Sequence, residues 1–586
     1  MARVQNPFVD YLNRYTTASP NHEAAFDEYI AAAQPPAAGP LRLQTKIERF
    51  LLEVYNKDRP PSVILTGNAG DGKTYLCRQV LRTFGSPQVS DLLWESLVDR
   101  PIERNGTRLF VVKDLSELSE EKGKEILDRL GEGLNNPANP NRYLIAANEG
   151  RLRQLLSGLP HRGELSQTIN HQLENGAEIT NESLIVINLN RVATSTFVPE
   201  TLRWMTDPRH WHDCQQCHAR DKCPIRYNAE QLANNEIVSR VQTLYQLLEA
   251  IGEHLTVRDM LIHFAYTISG GQTCRKIQQA GSDLSQFVYY ENIFGRADDE
   301  GFRRKSHLTQ LLARLQIGQH SSFEIDEFIL SGGKTSDETF IHQKLFGETI
   351  DVNFKQFNQD RRAYLEGSDN SRAQDALKWL PHCRRKIFFT GSIHHYYRLL
   401  PFRFFQEYHQ LYRSSGERID EQTLRLFVKG LNRAFSRLYL HEDQHLYITA
   451  QYLHSVNQPH PLVLFRIPID NIRLFFDETA ADYIDVTRYT LCLDISPPRT
   501  SQNQEPLKWR LGILQFEYIM RLAVGGNFAI LATECELDIR RLKDELIKRF
   551  APTTLDQHVV EFFMPARSRY ELRRLRINEH RKIVAE

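Results

Sequence analysis

The chain has 586 residues, enough for roughly three or four domains, and it carries 73 Lys and Arg against 73 Asp and Glu. Its 41% apolar, 10% aromatic and 25% charged residues exclude a wholly disordered chain, a collagen-like repeat and a small disulfide scaffold. The zero net charge also excludes a polycation held on nucleic acid by bulk charge, although it allows a local basic surface.

The start of the chain and its apolar runs argue against export or membrane insertion. The first residues, Met-Ala-Arg-Val-Gln-Asn-Pro, contain no apolar core with a small-residue cleavage site. No stretch approaches the roughly 18 uninterrupted apolar residues that a spanning helix needs. The eight cysteines are sparse, and three of them cluster at 214, 217 and 223, unlike a secreted disulfide framework. We therefore expect a cytoplasmic protein with no membrane partner.

The first two hundred residues predict a short helical segment followed by an α/β core. Residues 1–44 have helical spacing with a Pro- and Ala-rich interruption at 32–40. From 45 to 200, short apolar runs alternate with helix-length segments, which is the pattern of a parallel sheet with crossover helices. The predicted strands are Ser62–Thr66, Leu109–Lys113, Tyr143–Ala147 and Ser183–Asn188.

The remainder predicts three further regions. Residues 201–280 are expected to form a helical lid with a Cys-rich insertion, and residues 281–430 a helical region rich in charge. Residues 431–586 are expected to form an α+β domain with a basic tail, because strand-like runs alternate there with helical stretches. The runs are Leu446–Thr449, Leu462–Ile469, Arg473–Phe476 and Tyr489–Ile495, and the helical stretches are Lys508–Leu522 and Glu536–Phe550.

The most specific motif is a glycine-rich loop between the first predicted strand and an apolar helix that ends near Phe84. It matches G-x-x-x-x-G-K-[ST], and its residues are Gly67, Asn68, Ala69, Gly70, Asp71, Gly72, Lys73 and Thr74, followed by Tyr75. In such a loop, backbone N–H groups and the helix N-terminus surround phosphates. Lys73 would neutralise the β- and γ-phosphates, and the Thr74 hydroxyl would hold Mg²⁺. The sequence therefore predicts a site for ATP and Mg²⁺.

Polar residues that follow the next two strands are candidates for the chemistry. Asp114 ends an apolar strand and is the predicted Mg²⁺ ligand, and Glu117 is the predicted base. The alternative is that Asp114 caps a helix and Glu117 is a solvated acid of its first turn. Asn148 follows the third strand, at the sheet edge where ligands bind, and is predicted to orient the attacking water or the γ-phosphate, with a simple turn residue as the alternative. Glu149 is a second candidate for the base.

The lid contributes an arginine at the start of its apolar helix. Thr256 and Asp259 have the spacing of a capping box, and the helix is expected to end at Gly270-Gly271. Arg258 then lies in the first turn, where a positive charge is unfavourable to the helix dipole. That placement favours a role at the γ-phosphate, with an ordinary surface arginine as the alternative.

A cysteine cluster predicts a metal site. Cys214 and Cys217 have the C-x2-C spacing that lets one turn offer two thiolates, and Cys223 adds a third. We take His212 as the tentative fourth ligand of a Zn²⁺ ion, while His210, His218 and Cys274 remain open. An iron–sulfur cluster and three unligated thiols are the other interpretations.

Two basic clusters are candidates for phosphate contacts. Residues 565–586 hold seven Lys or Arg against three Glu, a net charge of +4, so the other 564 residues sum to −4. Arg384-Arg385-Lys386 forms the second cluster. Both suit contacts that carry no sequence information. A solvated helix face or a docking surface for an acidic partner is the alternative for the tail, and action on a neighbour's nucleotide is the alternative for Arg384 or Arg385.

Taken together, residues 45–275 resemble an AAA+-type ATPase: a P-loop, an acid-ended strand, an Asn-ended strand, one more strand and a helical lid opening with an arginine. The glycine motif combined with Cys214-x2-Cys217-x5-Cys223-Pro-Ile-Arg resembles more narrowly the DptF family, the ATPase component of DNA phosphorothioation-dependent restriction systems in bacteria. The resemblance implies that Asp114 is the metal acid, Asn148 sensor 1 and Arg258 sensor 2. Candidates for an arginine finger are Arg151, Arg153, Arg162 and Arg191.

The resemblance implies an antiviral ATPase that acts with other proteins of a defence complex on DNA lacking the sulfur mark. Contact with DNA would be direct or through those partners, and the chain could form a homo-oligomer. The displacement of Glu117 from Asp114 favours an alternative, a weakly hydrolysing nucleotide-gated scaffold or sensor that recruits a separate nuclease. A metal-stapled nucleic-acid-binding module with a vestigial ATP site is the third hypothesis.

Overall fold

A computed structural model places most of the chain in two compact units, one ending at Pro401 and the other starting at Phe402. The structure describes residues 5–17, 37–43, 45–85, 98–134, 136, 138–159, 163–175, 183–279, 285–296, 299–347, 353–367, 370–413, 420–441, 444–450, 461–477, 490–497, 505–526, 533–551, 559–567, 569–578, 580 and 582–585.

The first unit contains a five-stranded sheet with β1 (Ser62–Thr66) inside it. Strands β4 (Asn141–Ala147) and β5 (Leu184–Asn188) flank β1, and both run parallel to it. Strand β3 (Thr107–Val112) pairs in parallel with the far side of β4. The four predicted strands are thus confirmed to within two residues at their ends. The sequence did not predict β2 (Ile102–Arg104), which pairs antiparallel with β3 at the edge of the sheet.

Helices cover both faces of this sheet, which is why its strands are continuous apolar runs rather than alternating ones. Val63 and Leu65 of β1 pack with α2 (Lys46–Tyr55) and α3 (Lys73–Phe84). Ile64 points the opposite way, as the period of two in a strand requires, and packs with α4 (Glu120–Leu134), α5 (Glu149–Ser157) and α6 (Glu164–Asn175). This arrangement confirms the α/β class.

The rest of the first unit is helical. Before the sheet, the chain forms α1 (Pro7–Thr17). After it come α7 (Val198–Met205), α8 (Pro224–Leu232), α9 (Asn235–Ala250), α10 (Val257–Ser269), α11 (Cys274–Gln279), α12 (Tyr289–Asn292), α13 (Glu300–Lys305), α14 (His307–Arg314), α15 (Phe323–Ser331), α16 (Ser336–Phe346), α17 (Asn353–Glu366), α18 (Asn370–Lys378), α19 (Leu380–Thr390) and α20 (Ile393–Arg398).

Helix α10 is the predicted lid helix, and it forms where the sequence placed it. The Thr256 hydroxyl accepts a hydrogen bond from the Asp259 N–H, and the Asp259 carboxylate accepts one from the Thr256 N–H, so the capping box is complete. The helix ends at Gly270, whose φ of 58° lies in the left-handed region that favours glycine. Helix α1 packs along α10.

The second unit combines helices with two sheets. Its helices are α21 (Phe405–Arg413), α22 (Glu421–Ser436), α23 (Ile513–Ala523) and α24 (Thr533–Phe550). Strands β8 (Ile472–Asp477), β9 (Thr490–Ile495) and β10 (Leu507–Leu511) form one antiparallel sheet. The other sheet has the order β13-β12-β11-β7-β6, formed by β6 (His445–Thr449), β7 (Leu462–Pro468), β11 (Val559–Pro565), β12 (Tyr570–Ile577) and β13 (Ile583–Ala585).

Two predictions for this unit are wrong in detail. The stretch Lys508–Leu522 does not form one helix, because Leu507, Trp509 and Leu511 alternate with charged residues and form the strand β10. Gly512 separates that strand from α23. The alternative of a helix face for the basic tail is also wrong: Arg573, Arg574 and Arg576 lie on β12, which pairs with β11 and β13. The C-terminal module therefore contains more sheet than the sequence indicated.

Candidate functional site

The glycine loop, Gly67–Thr74, lies at the carboxyl edge of the sheet between β1 and α3. Because β1, β3, β4 and β5 are parallel, the residues that follow them meet at this edge. Gly70 and Gly72 have φ values of 93° and 86°, which a side chain adopts only with strain. The start of α3 has no side-chain cap. Its first backbone N–H groups, at the positive end of the helix dipole, therefore suit an anion.

The side chains of the loop brace it from within. The Lys73 Nζ donates to the carbonyl oxygens of Gly67 (2.8 Å) and Asn68 (2.7 Å). The Asp71 carboxylate accepts from the Asn68 N–H at 2.6 Å. At the far end of the motif, the Tyr75 hydroxyl donates to the Glu48 carboxylate of α2 at 3.4 Å. The loop thus holds a defined shape through its own contacts and through one contact with α2.

The lid touches the loop at its tip. The Arg258 N–H donates to the Gly70 carbonyl oxygen at 3.3 Å. A Cβ built on Gly70 would lie 2.8 Å from the Arg258 Cβ and 2.9 Å from the Thr256 Oγ1, so only glycine allows this approach. His254, just before the lid helix, is 2.9 Å from the Asp71 carboxylate through its Nε2. The structure therefore brings Arg258 to the glycine loop, and His254 is a contact that the sequence did not predict.

The two predicted acids after β3 make local contacts. The Asp114 Oδ1 accepts from the Ser116 N–H at 2.7 Å and so caps the short 3-10 turn Leu115–Glu117. The Glu117 carboxylate lies 3.5 Å from the Lys113 Nζ and is exposed. Strand β4 separates β3 from β1. The alternative role considered for both residues, a cap and a first-turn acid, is present in the structure.

The residues after β4 and β5 lie on either side of the end of β1. The Asn148 side chain accepts from the Gly150 N–H at 2.9 Å and caps α5. Glu149 is half-buried: Arg153 binds its Oε1, and the Asn188 Nδ2 donates to its Oε2 at 3.4 Å. Asn190 then accepts from the Asn68 N–H of the glycine loop at 3.1 Å.

Glu149 is thus linked to the glycine loop through the turn that follows β5. Glu117 follows β3, which β4 separates from β1. Asn188 and Asn190 are site residues that the sequence analysis missed. The pattern Asn-Leu-Asn directly after a predicted strand was the feature that could have indicated them.

Three of the four candidate arginine fingers have partners within the chain. Arg151 donates to the Gln154 side chain and to the Leu118 carbonyl oxygen. Arg153 contacts Glu149 and Asn170, and Arg191 donates to the Leu173 carbonyl oxygen at 2.8 Å. Arg162 lies outside the described residues.

The cysteine cluster includes a residue from outside the insertion. Cys214, Cys217, Cys223 and Cys274 line one cavity of about 20 Å³ together with Asn6, Arg226 and Gln278. All four are free thiols. Burial raises the pKa of the Cys214 and Cys274 thiols, and it raises that of Cys223 to about 11 against the effect of the Arg226 and Ile225 N–H groups.

The histidines of this region lie elsewhere, which corrects the choice of His212 as the fourth ligand. His212 and His218 are exposed and are not among the cavity residues. His210 is buried in a stack on Phe8 with 3.8 Å between ring centroids, and its Nδ1 accepts from the Ala38 N–H. Within the described parts of the chain, no three His, Cys, Asp or Glu side chains already have the arrangement of a metal ligand set.

The second basic cluster is not a surface. Arg384 is 4% exposed, and its side chain binds Asp326 through two hydrogen bonds of 2.5 and 2.7 Å. Arg385 pairs with Glu291, and Lys386 is buried against the ring of Phe354. The predicted phosphate contact or action in trans by these residues is therefore wrong, because their charges are used inside the first unit.

Comparisons with known proteins found no match to this chain among protein-family models, curated proteins or solved structures. No helix in the described ranges has the length and apolar content needed to cross a membrane.

Proposed function

We propose that this chain is an ATPase that binds ATP at the glycine loop and hydrolyses it with Mg²⁺. The observation that carries the proposal is the position of the loop, which follows the inner strand β1, precedes the uncapped start of α3 and contacts the lid. Orphan N–H groups at a helix start attract phosphate. Lys73 would exchange its two loop carbonyls for phosphate oxygens when the nucleotide binds.

Thr74 and Asp114 are the residues that we propose for Mg²⁺, because this ion prefers oxygen ligands. The turn cap uses one of the two carboxylate oxygens of Asp114. When bound, the ion would neutralise charge on the β- and γ-phosphates.

Glu149 is the carboxylate that we favour as the base, in place of Glu117. Its contact with Asn188 spans the end of β1, and Asn190 of the same turn binds the glycine loop. Glu117 instead pairs with Lys113, beyond β4. Asn148, next to Glu149, would orient the attacking water, and Arg258 would reach the γ-phosphate from the lid.

The biological role that we propose rests on the resemblance in the glycine motif and the cysteine spacing. ATP binding and hydrolysis would drive or gate action on unmodified invading DNA, together with partner proteins of a bacterial restriction system. The second candidate function is a nucleotide-gated scaffold that recruits a separate nuclease. The local contacts of Asp114 and Glu117 favour this second candidate, because they occupy the two acids first expected to serve hydrolysis.

The test is steady-state ATP hydrolysis by the full chain, with and without Mg²⁺, DNA and partner proteins, alongside calorimetry of ATP binding. We expect Mg²⁺-dependent turnover that Lys73→Ala abolishes and that Lys57→Ala, at an exposed lysine after α2, leaves unchanged. Tight ATP binding without turnover would favour the scaffold. A wild-type chain that does not bind ATP would refute both functions and leave a nucleic-acid-binding module as the remaining hypothesis.

A further inference from the structure

The cavity between Cys214, Cys217, Cys223 and Cys274 is the strongest unexplained feature outside the glycine loop. Three of these thiols come from one stretch of ten residues, and the fourth starts α11, shortly after the lid helix α10. All four cysteines are half-buried and line one cavity from two separate segments, and packing alone gives no reason for four sulfur atoms to meet there. The volume of about 20 Å³ is enough for a single small occupant rather than a cofactor.

Donors around the cavity point at sulfur. The Asn6 Nδ2 donates to the Cys214 Sγ at 3.2 Å, and the Gln278 Nε2 donates to the Cys217 Sγ at 3.6 Å. Asn6 is itself 2% exposed and is held by a second hydrogen bond to the His210 carbonyl oxygen. Hydrogen bonds of this kind stabilise the thiolate, which is the form of cysteine that binds metal.

The charges nearby suit a tetrathiolate. Four thiolates around a divalent ion carry a net charge of −2, and the side chains of Arg220 and Arg226 line the same cavity. Arg226 also pairs with Glu230 at 2.6 Å, which orients its guanidinium at the start of α8. Arg220 pairs in the same way with the neighbouring Asp221 at 3.1 Å.

We propose that Cys214, Cys217, Cys223 and Cys274 form a tetrahedral zinc site that ties the C-terminal end of the lid to the insertion and to the N-terminal segment. Zn²⁺ is bound by four cysteines in closed structural sites, with Zn–S distances of about 2.3 Å. Because the thiols do not yet have ligand geometry, zinc binding would have to draw the four sulfur atoms closer together. Asn6 brings the start of α1 into the same network.

The experiment is elemental analysis of the full chain purified under reducing conditions, with and without added Zn²⁺. We expect about one zinc per chain. The Cys274→Ser variant should lose most of it. His212→Ala, at the exposed histidine, and Cys492→Ala, at a buried thiol of the second unit, should keep it.

Because Cys274→Ser could fail for lack of folding, two measurements use the wild-type chain. Co²⁺ put in place of zinc should give the intense visible absorption of a tetrahedral thiolate complex, and a mercurial should release the zinc. Metal removal should also speed hydrogen exchange in residues 5–17, 214–223 and 274–279 together. A wild-type chain that takes up neither Zn²⁺ nor Co²⁺, one that carries iron and sulfide, or one that loses zinc with His212→Ala but not with Cys274→Ser would overturn the proposal.

Discussion

The contact between the lid and the glycine loop can be tested with two glycines that differ in one respect. Gly70 and Gly72 both have left-handed φ values, 93° and 86°, so alanine at either position costs about 1–2 kcal/mol of backbone strain. A Cβ on Gly70 would lie 2.8 Å from the Arg258 Cβ, whereas a Cβ on Gly72 meets nothing within 4 Å. Only Gly70→Ala therefore adds a clash with the lid, which costs about 1–3 kcal/mol more.

The clash should be relieved by displacing the start of α10, because the alternative is to distort the loop. At 1.4 kcal/mol per factor of ten, a penalty of about 1–3 kcal/mol corresponds to local opening that is about 5- to 150-fold more frequent. The reporter is hydrogen exchange at the Arg258 N–H, which donates to Gly70, and at Asp259 and Met260, whose N–H groups are bound by Thr256.

The assay is hydrogen exchange with mass spectrometry on the nucleotide-free chain, so that loss of phosphate binding does not enter the comparison. We expect Gly70→Ala to accelerate exchange at residues 257–260 and Gly72→Ala to leave these amides close to wild type. Equal acceleration in both variants would mean that loop strain alone loosens the lid. Unchanged protection in Gly70→Ala would refute a lid that rests on Gly70.

Three further predictions concern catalysis, pH dependence and stability. Glu149→Gln should lower kcat for ATP by about 10²-fold or more, while Glu117→Gln changes it little; the opposite ranking would return the base to Glu117. Burial lowers the pKa of His263 to about 4, and the unfolded imidazole titrates near about 6.5. The folded state therefore binds fewer protons between these values, and stability falls as pH falls through that window. Thermal melts from about pH 7 to 4.5 should show a smaller drop in Tm for His263→Gln than for wild type; parallel profiles would contradict this. Arg384→Ala leaves Asp326, whose side chain is only 16% exposed, without its charged partner and should cost about 3–5 kcal/mol. Arg304→Ala breaks only an exposed pair with Glu300 and should cost under about 1 kcal/mol. If the two variants lost the same amount of Tm, burial of the Arg384 pair would not add to its contribution to stability.

The sequence predicted those parts of the site that are formed by residues close together in the chain. The glycine motif, the strand before it and the capping box of Thr256 and Asp259 each involve residues within a few positions, and the structure has all three. Apolar and charged residues also alternate at Leu507, Trp509 and Leu511, which is the pattern of a strand. The sequence prediction nevertheless included these residues in the helix that follows Gly512. That error arose where two periodicities adjoin.

Contacts between distant segments were not accessible in the same way. Cys274 reaches the cavity only because α11 folds back beside the insertion, so spacing favoured the nearer His212. Asn190 and His254 approach the loop because β5 lies beside β1 and because the lid returns to the sheet edge. Sequence composition identifies such residues as polar, but only the fold selects which of them meet.

The charge distribution changes where direct contact with DNA is to be sought. Arg384 and Arg385 are paired with Asp326 and Glu291 inside the first unit. The exposed arginines of β12 remain from the predicted basic clusters, with Arg574 and Arg576 on one face of the strand and Arg573 on the other. These arginines are partly neutralised, because Arg573 contacts Glu571 and Arg574 lies 3.8 Å from Glu561. Exposed pairs of this kind are worth about 0–1 kcal/mol, so phosphates could replace the carboxylates at little cost.

Each phosphate bound in that way steepens the fall of affinity with salt by about 0.9 on logarithmic axes. We therefore expect direct binding of duplex DNA to weaken with salt, and expect charge removal at Arg573, Arg574 and Arg576 to reduce the slope. Lys508→Ala, at an exposed lysine on the separate sheet of the second unit, is the matched control and should leave the slope unchanged. A slope that the three arginine substitutions do not alter would assign the phosphate contacts to another surface. A flat salt dependence would mean that DNA is reached through partner proteins.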